Sequence, residues 1–319
     1  MTLNHIEDLD HLYRLASDVF AATGADATVF VPHPGDLAWW AAYLEAGMPL
    51  SAVSARSIRD ARGELAGWGF LSPDGVDAFA FPARDACRFD AYDEGIESLE
   101  SAGATSCAVT WIADTDPAGV AWATSRGFAR GESGYLRMSR GLDSGAVPDA
   151  SEGMLIGVAE AAYAEDAARR ATRGLPLFDL RSRALAQRSA FSSSRSEDEY
   201  LKRFLSFVAS PAWGYAIDCA VGTPSVSGEP AGSVDAFARV WLEPRSAVAL
   251  LEPVGVRQGR QGMGLGKLAA ESALALAYRA GMRFARVTPD RSDERVVALY
   301  RSLGFRDTGV LPTRVRSLP

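Results

Sequence analysis

The chain is 319 residues long, 48% hydrophobic and 23% charged, with a formal net charge of −7. That length and composition suit a soluble globular protein of two domains. The acidic balance argues against a general nucleic-acid binder, which needs a basic surface, and no apolar run is long enough to span a bilayer.

In chain order, apolar residues at helical spacing (Ile6, Leu9, Leu12, Tyr13, Ala16, Val19, Phe20) predict a helix over Leu3–Ala22. Pro34-Gly35-Asp36 predicts the start of a second, with Asp36 as N-cap and an aromatic stripe of Trp39, Trp40, Tyr43 and Leu44 as core. Strand-like runs follow at Leu50–Ser57, Glu64–Leu71 and Val76–Phe81, the last two joined by the turn Ser72-Pro73-Asp74-Gly75. A helix over Asp90–Ala102, a strand at Ser106–Ile112, a helix over Pro117–Ser125 and a strand pair near Tyr135–Ser139 complete the first half. The polar, Gly/Pro/Ser-rich stretch Gly141–Gly153 reads as the linker, which places one domain at residues 1–142 and another at 149–319.

The second half opens with a short apolar run at Met154–Val158 and helical sequence at Glu160–Arg173, Leu185–Phe191 and Glu197–Val208. Strands are predicted at Tyr215–Val221, Val234–Leu242 and Ala247–Val256, then helices over Lys267–Ala280 and Asp293–Leu303 around a strand at Phe284–Thr288, and a last strand pair. Both halves end a helix on a Gly-Phe pair, Gly127-Phe128 and Gly304-Phe305, and an earlier helix on Ala-Gly, Ala102-Gly103 and Ala280-Gly281. A period of about half the chain suggests a duplicated domain.

Cys87, Cys107 and Cys219 are few, odd in number and widely spaced, so they suggest neither a disulfide framework nor a zinc site. An acidic, amphipathic N-terminus is unlike a secretion signal, and a cytoplasmic location is expected. His5, His11 and His33 all lie in the first half, so no histidine-built metal site is expected in the second.

The stretch Leu250–Lys267 carries the chemistry: a strand, then Gln261-Gly262-Met263-Gly264-Leu265-Gly266-Lys267, then a helix. Glycines there leave the backbone bare, and the unsatisfied amides at a helix start favour an anion. This predicts a phosphate cradle, with Arg257 and Arg260 adding charge. A Walker loop is excluded, because three residues separate Gly262 from Gly266 and Leu268 follows the lysine. Gly264-Leu265-Gly266-Lys267-Leu268-Ala269 also fits a G-x-G-x-x-A dinucleotide pattern, which leaves a dinucleotide-dependent enzyme as one alternative.

The longer run Gln261–Gly266 resembles the Q/R-x-x-G-x-G/A motif of the GCN5-related N-acetyltransferases (GNAT). It follows Leu251-Glu252-Pro253-Val254-Gly255-Val256, and Ala298-Leu299-Tyr300-Arg301-Ser302-Leu303-Gly304-Phe305 resembles that family's second signature. The resemblance is strong over about Val234–Gly309. It implies an α/β fold of two tandem GNAT-like domains, each a mixed, mostly antiparallel sheet flanked by helices. The implied reaction is direct transfer of an acyl group, acetyl above all, from acetyl-CoA as co-substrate to a primary amine of a small molecule, with no metal. A non-catalytic acyl-CoA-binding or regulatory module is the other alternative.

Pro253 cannot donate a ladder hydrogen bond, so its strand should be locally unpaired or bulged, and the resemblance implies a bulge. The resemblance implies that the free amides of Val254 and Val256 bind the acyl carbonyl, and that Arg257, Gln261, Gly262, Met263, Gly264, Leu265, Gly266 and Lys267 hold the phosphates. It also implies a binding role for Asp293, where the family often has Asn, and places Tyr300 as the proton donor to the departing thiolate; the alternative is a core aromatic beside Phe305. Glu252 is the first candidate base, with a structural arginine partner as its alternative, and Asp218 and Glu243 follow. The acceptor is expected near Arg183–Phe207. The first half resembles a worn copy: Ala83–Asp90 has no glycine, Asp85 and Asp90 would repel pyrophosphate, and Ala123 stands where Tyr300 would.

Overall fold

The computed structural model describes residues 2–5, 9–23, 29–37, 54–150, 152–159, 166–208, 215–223 and 232–319. They form two compact units, each drawing on both halves of the chain. One comprises Met1–Met138, Thr288–Ala298 and Arg306–Pro319; the other comprises Ser139–Val287 and Leu299–Phe305. The expected division at the linker, with a second domain running to Pro319, therefore differs from the compact units: the last strand, Arg306–Ser317, packs with the first half.

In the first unit the strands run in the order β1 (Thr2–His5), β2 (Ser54–Arg59), β3 (Leu65–Ser72), β4 (Gly75–Ala80), β5 (Ser106–Val109), β12 (Arg306–Ser317), β6 (Ala129–Gly141). Neighbours from β1 to β4 are antiparallel, β4 and β5 parallel at Gly75↔Ala108, and β5 and β12 antiparallel. Helices α1 (Leu9–Thr23), α2 (Cys87–Ser101) and α3 (Pro117–Ser125) complete it. The predicted first helix thus starts later than its periodicity suggested, because Thr2–His5 pair with β2 instead. Asp36 is also not an N-cap. His33 precedes the helical turn, and the Asp36 carboxylate reaches back to accept from the His33 amide at 2.8 Å. The aromatic stripe at 39–44 lies outside the described residues.

Strand β12 closes this unit's core. Leu318 packs with Ile58, Val109, Trp122 and Phe128, and Leu311 with Phe30 and Ala113. Arg314 donates to the Ile112 carbonyl and to Asp114, and the Leu318 amide to the Thr105 carbonyl. Only a single long strand exists where each half was expected to end in a strand pair.

In the second unit the order is β11 (Phe284–Val287), β10 (Val248–Val256), β9 (Val234–Glu243), β8 (Ala216–Gly222), β7 (Leu155–Val158). All pairs are antiparallel except β10–β11, which is parallel through Val248–Leu250. β8 and β9 are buried along their whole length, as a sheet covered on both faces requires. Helix α7 (Leu265–Arg279) packs on β8, β9 and β10. Helix α5 (Leu180–Ala190) packs on β9 and β10 and carries α6 (Glu197–Val208) beside it; α4 (Asp166–Ala171) packs on α7. Helix α8 (Glu294–Ser302) divides between the units after Ala298.

The duplication is legible in the caps. Helices α2 and α7 are both 15 residues long. Each ends on a left-handed glycine, Gly103 or Gly281, with the same pair of closing bonds: Gly103 to Glu100 and Ala104 to Leu99, Gly281 to Tyr278 and Met282 to Ala277. Helices α3 and α8, each 9 residues, open on Asp116 and Asp293, whose carboxylates accept from the amide three residues on. They close with Phe128 N–H to Ala123 and Phe305 N–H to Tyr300, which puts Ala123 in register with Tyr300.

Candidate active site

The site is assembled where β10 runs into α7. Between Leu251 and Val254 the pairing with β9 slips: Leu251 faces Val240 and Val254 faces Ala238, so Glu252 and Pro253 oppose Arg239 alone. This is a bulge, one of the two outcomes the proline allowed. The Trp241 indole N–H donates to the Glu252 carbonyl at 2.8 Å, a contact the sequence offered no sign of. Beyond Leu250, no strand pairs with the outer edge of β10 among the described residues. The Arg257 amide donates to the Asp235 carbonyl on β9 at 2.8 Å. Alternate amides of a strand face opposite edges, so Val254 and Val256 turn theirs to the open side.

Past the strand the chain makes three left-handed glycine turns, at Gly259, Gly262 and Gly264. Gly264, at φ 78°, is the N-cap of α7 and caps nothing with a side chain. Gly266 is required for a different reason. A Cβ there would come within 2.9 Å of the Val256 Cγ2, so glycine lets helix and strand approach. Among the described residues the amides of Gly264, Leu265, Gly266 and Lys267 have no protein acceptor. The helix dipole adds to their pull on an anion. Gln261, Gly262, Met263 and Lys267 are exposed around this turn, Met263 at 60%. The Gln258 amide and side chain anchor the loop to Ser189 and Ser192 of the α5 end.

The two arginines differ. Arg257 keeps its Nε buried with no hydrogen-bond partner among the described residues. Arg260, expected to add free charge, is paired with Asp235 at 2.9 Å. Lys267 stands 3.7 Å from Glu271 in an exposed pair.

Tyr300 is buried, its ring set edge-on to Phe305 at 5.7 Å. Burial, and next the Glu252 charge, push its phenol well above the ordinary range, so it is fully protonated at neutral pH. The coupling puts Tyr300 and Glu252 in one electrostatic neighbourhood. Asp293 serves α8 as an exposed N-cap and belongs to the other compact unit.

The reserve bases are corrected. Asp218 is fully buried between Arg183 Nε and Arg239 Nη2, each at 3.0 Å. The Glu243 carboxylate is buried and closes the β9–β10 turn by accepting from the Ser246 amide and hydroxyl at 2.6 Å each. Both are structural. Arg183 and Phe207 likewise face inward: the Arg183 guanidinium lies 3.7 Å over Phe237, and Phe207 packs on Trp241.

In the first half the equivalent turn is a 3-10 segment, Pro82–Arg84, joined to α2 by the turn residues Asp85 and Ala86. The Asp85 and Ala86 carbonyls accept from the Arg88 and Phe89 amides. Arg88 is the second residue of its helix, as Gly266 is of its own, and its buried guanidinium lies 2.8 Å from Asp116 and 3.0 Å from Asp85. An internal ion cluster fills the ground that the glycine loop leaves bare in the second half.

These features bear on an acyl-CoA. The unbonded amides and left-handed glycines suit its pyrophosphate, and the open edge suits its pantetheine amides; the site fits.

Residues 179–305 match the model of the acetyltransferase (GNAT) family, whose members are acyl-CoA-dependent acyltransferases in general. No curated protein matches the chain. Among solved structures it is similar to a tandem GNAT protein from the clavulanic acid biosynthesis pathway (16% identity, 99% of this chain and 97% of that one, TM-score 0.63). It is also similar to a GNAT-family acetyltransferase from Colwellia psychrerythraea (11%, 100% of both chains, 0.54). A third is a GCN5-related N-acetyltransferase from Sphaerobacter thermophilus (14%, 99% and 95%, 0.53). At such identities the likeness is one of fold. With the bulged strand, the glycine turn and α7 all inside the matched span, residues 179–305 are similar to the GNAT acetyltransferase family, and the chain as a whole has the fold of a tandem GNAT protein.

Proposed function

We propose that this protein transfers an acyl group, acetyl by preference, from acyl-CoA directly to a primary amine of a small molecule. The observation that carries the reading is the pairing of two sets of free amides, Gly264–Lys267 at a helix start and Val254 and Val256 on an open strand edge. The first set, with Arg257, Gln261, Gly262 and Met263, would hold the phosphates. The second would align the arm and accept the charge that develops on the acyl oxygen. The bound thioester supplies the activated acyl group. Glu252, on the same strand, is the residue to take a proton from the amine, directly or through water. Tyr300, protonated at neutral pH, is the residue to give a proton to the departing sulfur. Asp293 and the location of the acceptor near α5 and α6 remain part of this proposal.

Calorimetry with acetyl-CoA, followed by a panel of amines with detection of released thiol, tests it. Saturable binding with amine-dependent thiol release is the expected result. Binding without release to any amine would make the chain an acyl-CoA-binding module. Response to NAD(P)H with no affinity for CoA would favour the dinucleotide pattern and overturn the reading.

A further inference from the structure

The bulge interrupts the regular β9–β10 register at Glu252 and Pro253, which together face Arg239. That carbonyl is satisfied by a side chain, Trp241 Nε1, at 2.8 Å. Trp241 is fully buried on β9 and held from two sides: Phe207 of α6 meets it edge-on at 5.8 Å, and the Arg239 guanidinium lies 5.4 Å over it. These contacts hold the indole with its N–H on a carbonyl that belongs to the residue opening the bulge.

We propose that Trp241 is a positioning residue for acyl transfer: its indole N–H locks the Glu252–Pro253 bulge in the shape that turns the Val254 and Val256 amides to the open edge. The same bond sets the backbone of Glu252, the candidate base. Trp241 touches no reactant. It acts through β10, and Phe207 links it to α6. The inference rests on the acyl-transfer reading above, because only that reading gives the open-edge amides a task.

Trp241→Phe removes the N–H and keeps an aromatic ring between Phe207 and Arg239. Turnover with acetyl-CoA and a true amine acceptor should fall about tenfold, the scale of one lost hydrogen bond to a group that must be held in place. Affinity for CoA, which lacks the acyl group, should stay within about twofold, because the Gly264–Lys267 amides are untouched. A merely structural indole predicts the reverse: a lower melting temperature with turnover per folded molecule unchanged, and that result overturns the proposal.

A second readout uses the unaltered protein labelled with nitrogen-15 at its tryptophan indoles. The Trp241 signal is assigned from the variant, or by elimination with the other Trp→Phe variants if Trp241→Phe does not fold. Its N–H should be slow to exchange and should shift with acetyl-CoA but not with CoA. Equal shifts, or a fast-exchanging N–H, overturn the proposal. Absence of transfer to any amine, with acetyl-CoA still bound and the indole responding, removes the catalytic reading while the positioning of the bulge stands. Absence of acetyl-CoA binding removes both.

Discussion

Replacing Asp218 by alanine separates two roles for one carboxylate. Sequence alone left it as a reserve base; the structure buries it completely, with Arg183 Nε 3.0 Å from both of its oxygens and Arg239 Nη2 3.0 Å from Oδ2. Burial draws the Arg183 guanidinium below its usual range, and Asp218 opposes that shift. Alanine would leave two guanidinium groups facing each other in a dry core, floored by Phe237 at 3.7 Å and Phe204 at 5.4 Å from Arg183. Breaking a buried pair from one side costs about 3–5 kcal/mol, because the surviving charge is uncompensated. That is a large part of an ordinary stability of about 5–15 kcal/mol. The melting temperature should drop by about 10 °C or more. Circular dichroism melts with urea titration measure it, beside calorimetry of CoA at a temperature where the variant is folded. Binding should persist there, since the glycine turn owes nothing to this triad. Replacing all three charges together by apolar residues should recover much of the loss. Should Asp218→Ala melt within about a degree of the parent while turnover disappears, the triad argument is wrong and the carboxylate belongs to the chemistry.

Tyr300→Phe conserves volume and should leave melting and CoA affinity nearly unchanged while turnover falls by about a hundredfold, less with an activated aryl thioester that needs no proton on leaving; parental turnover in a steady-state assay would retire Tyr300 as the donor. Gly264→Glu should abolish acetyl-CoA binding in calorimetry, since it forces a side chain to φ 78° and adds like charge at the phosphates; measurable affinity would move the cradle elsewhere. Parental calorimetry should give one site per chain, because Arg88 and Asp116 fill the first half's turn; two equivalent sites would refute that. Asp77, whose carboxylate accepts from the Thr110 amide, is pushed up to about 7 by burial. Its folded pKa lies above the unfolded value of 3.8, so its burial costs nothing below that value and its full penalty above about 7. Asp77→Asn should therefore raise the melting temperature at pH 8 and leave it almost unchanged at pH 4; equal gains at both would point to packing instead.

The glycine turn and the helix start of the second half were legible because their geometry is written in local sequence. A proline in a strand must break its ladder, glycines readily take the left-handed turns before α7, and a helix start presents free amides; each follows from backbone sterics within a few residues. The caps of α2, α3, α7 and α8 were legible for the same reason, down to the alignment of Ala123 with Tyr300. Fates that depend on distant partners were not. The sequence could not tell that Thr2–His5 would leave the helical pattern to pair with β2, or that Arg306–Ser317 would join β5, because strand pairing is settled by which edge is open in space. Nor could it tell which carboxylates would be structural: Asp218, Glu243 and Glu252 are alike as letters, and only the folded chain gives the first two arginines or a turn. What the sequence by itself determined is the local geometry of the turn and the broken ladder at Pro253. What tertiary structure decided is which charges lose their water, since burial is a property of the packed core and not of any one residue.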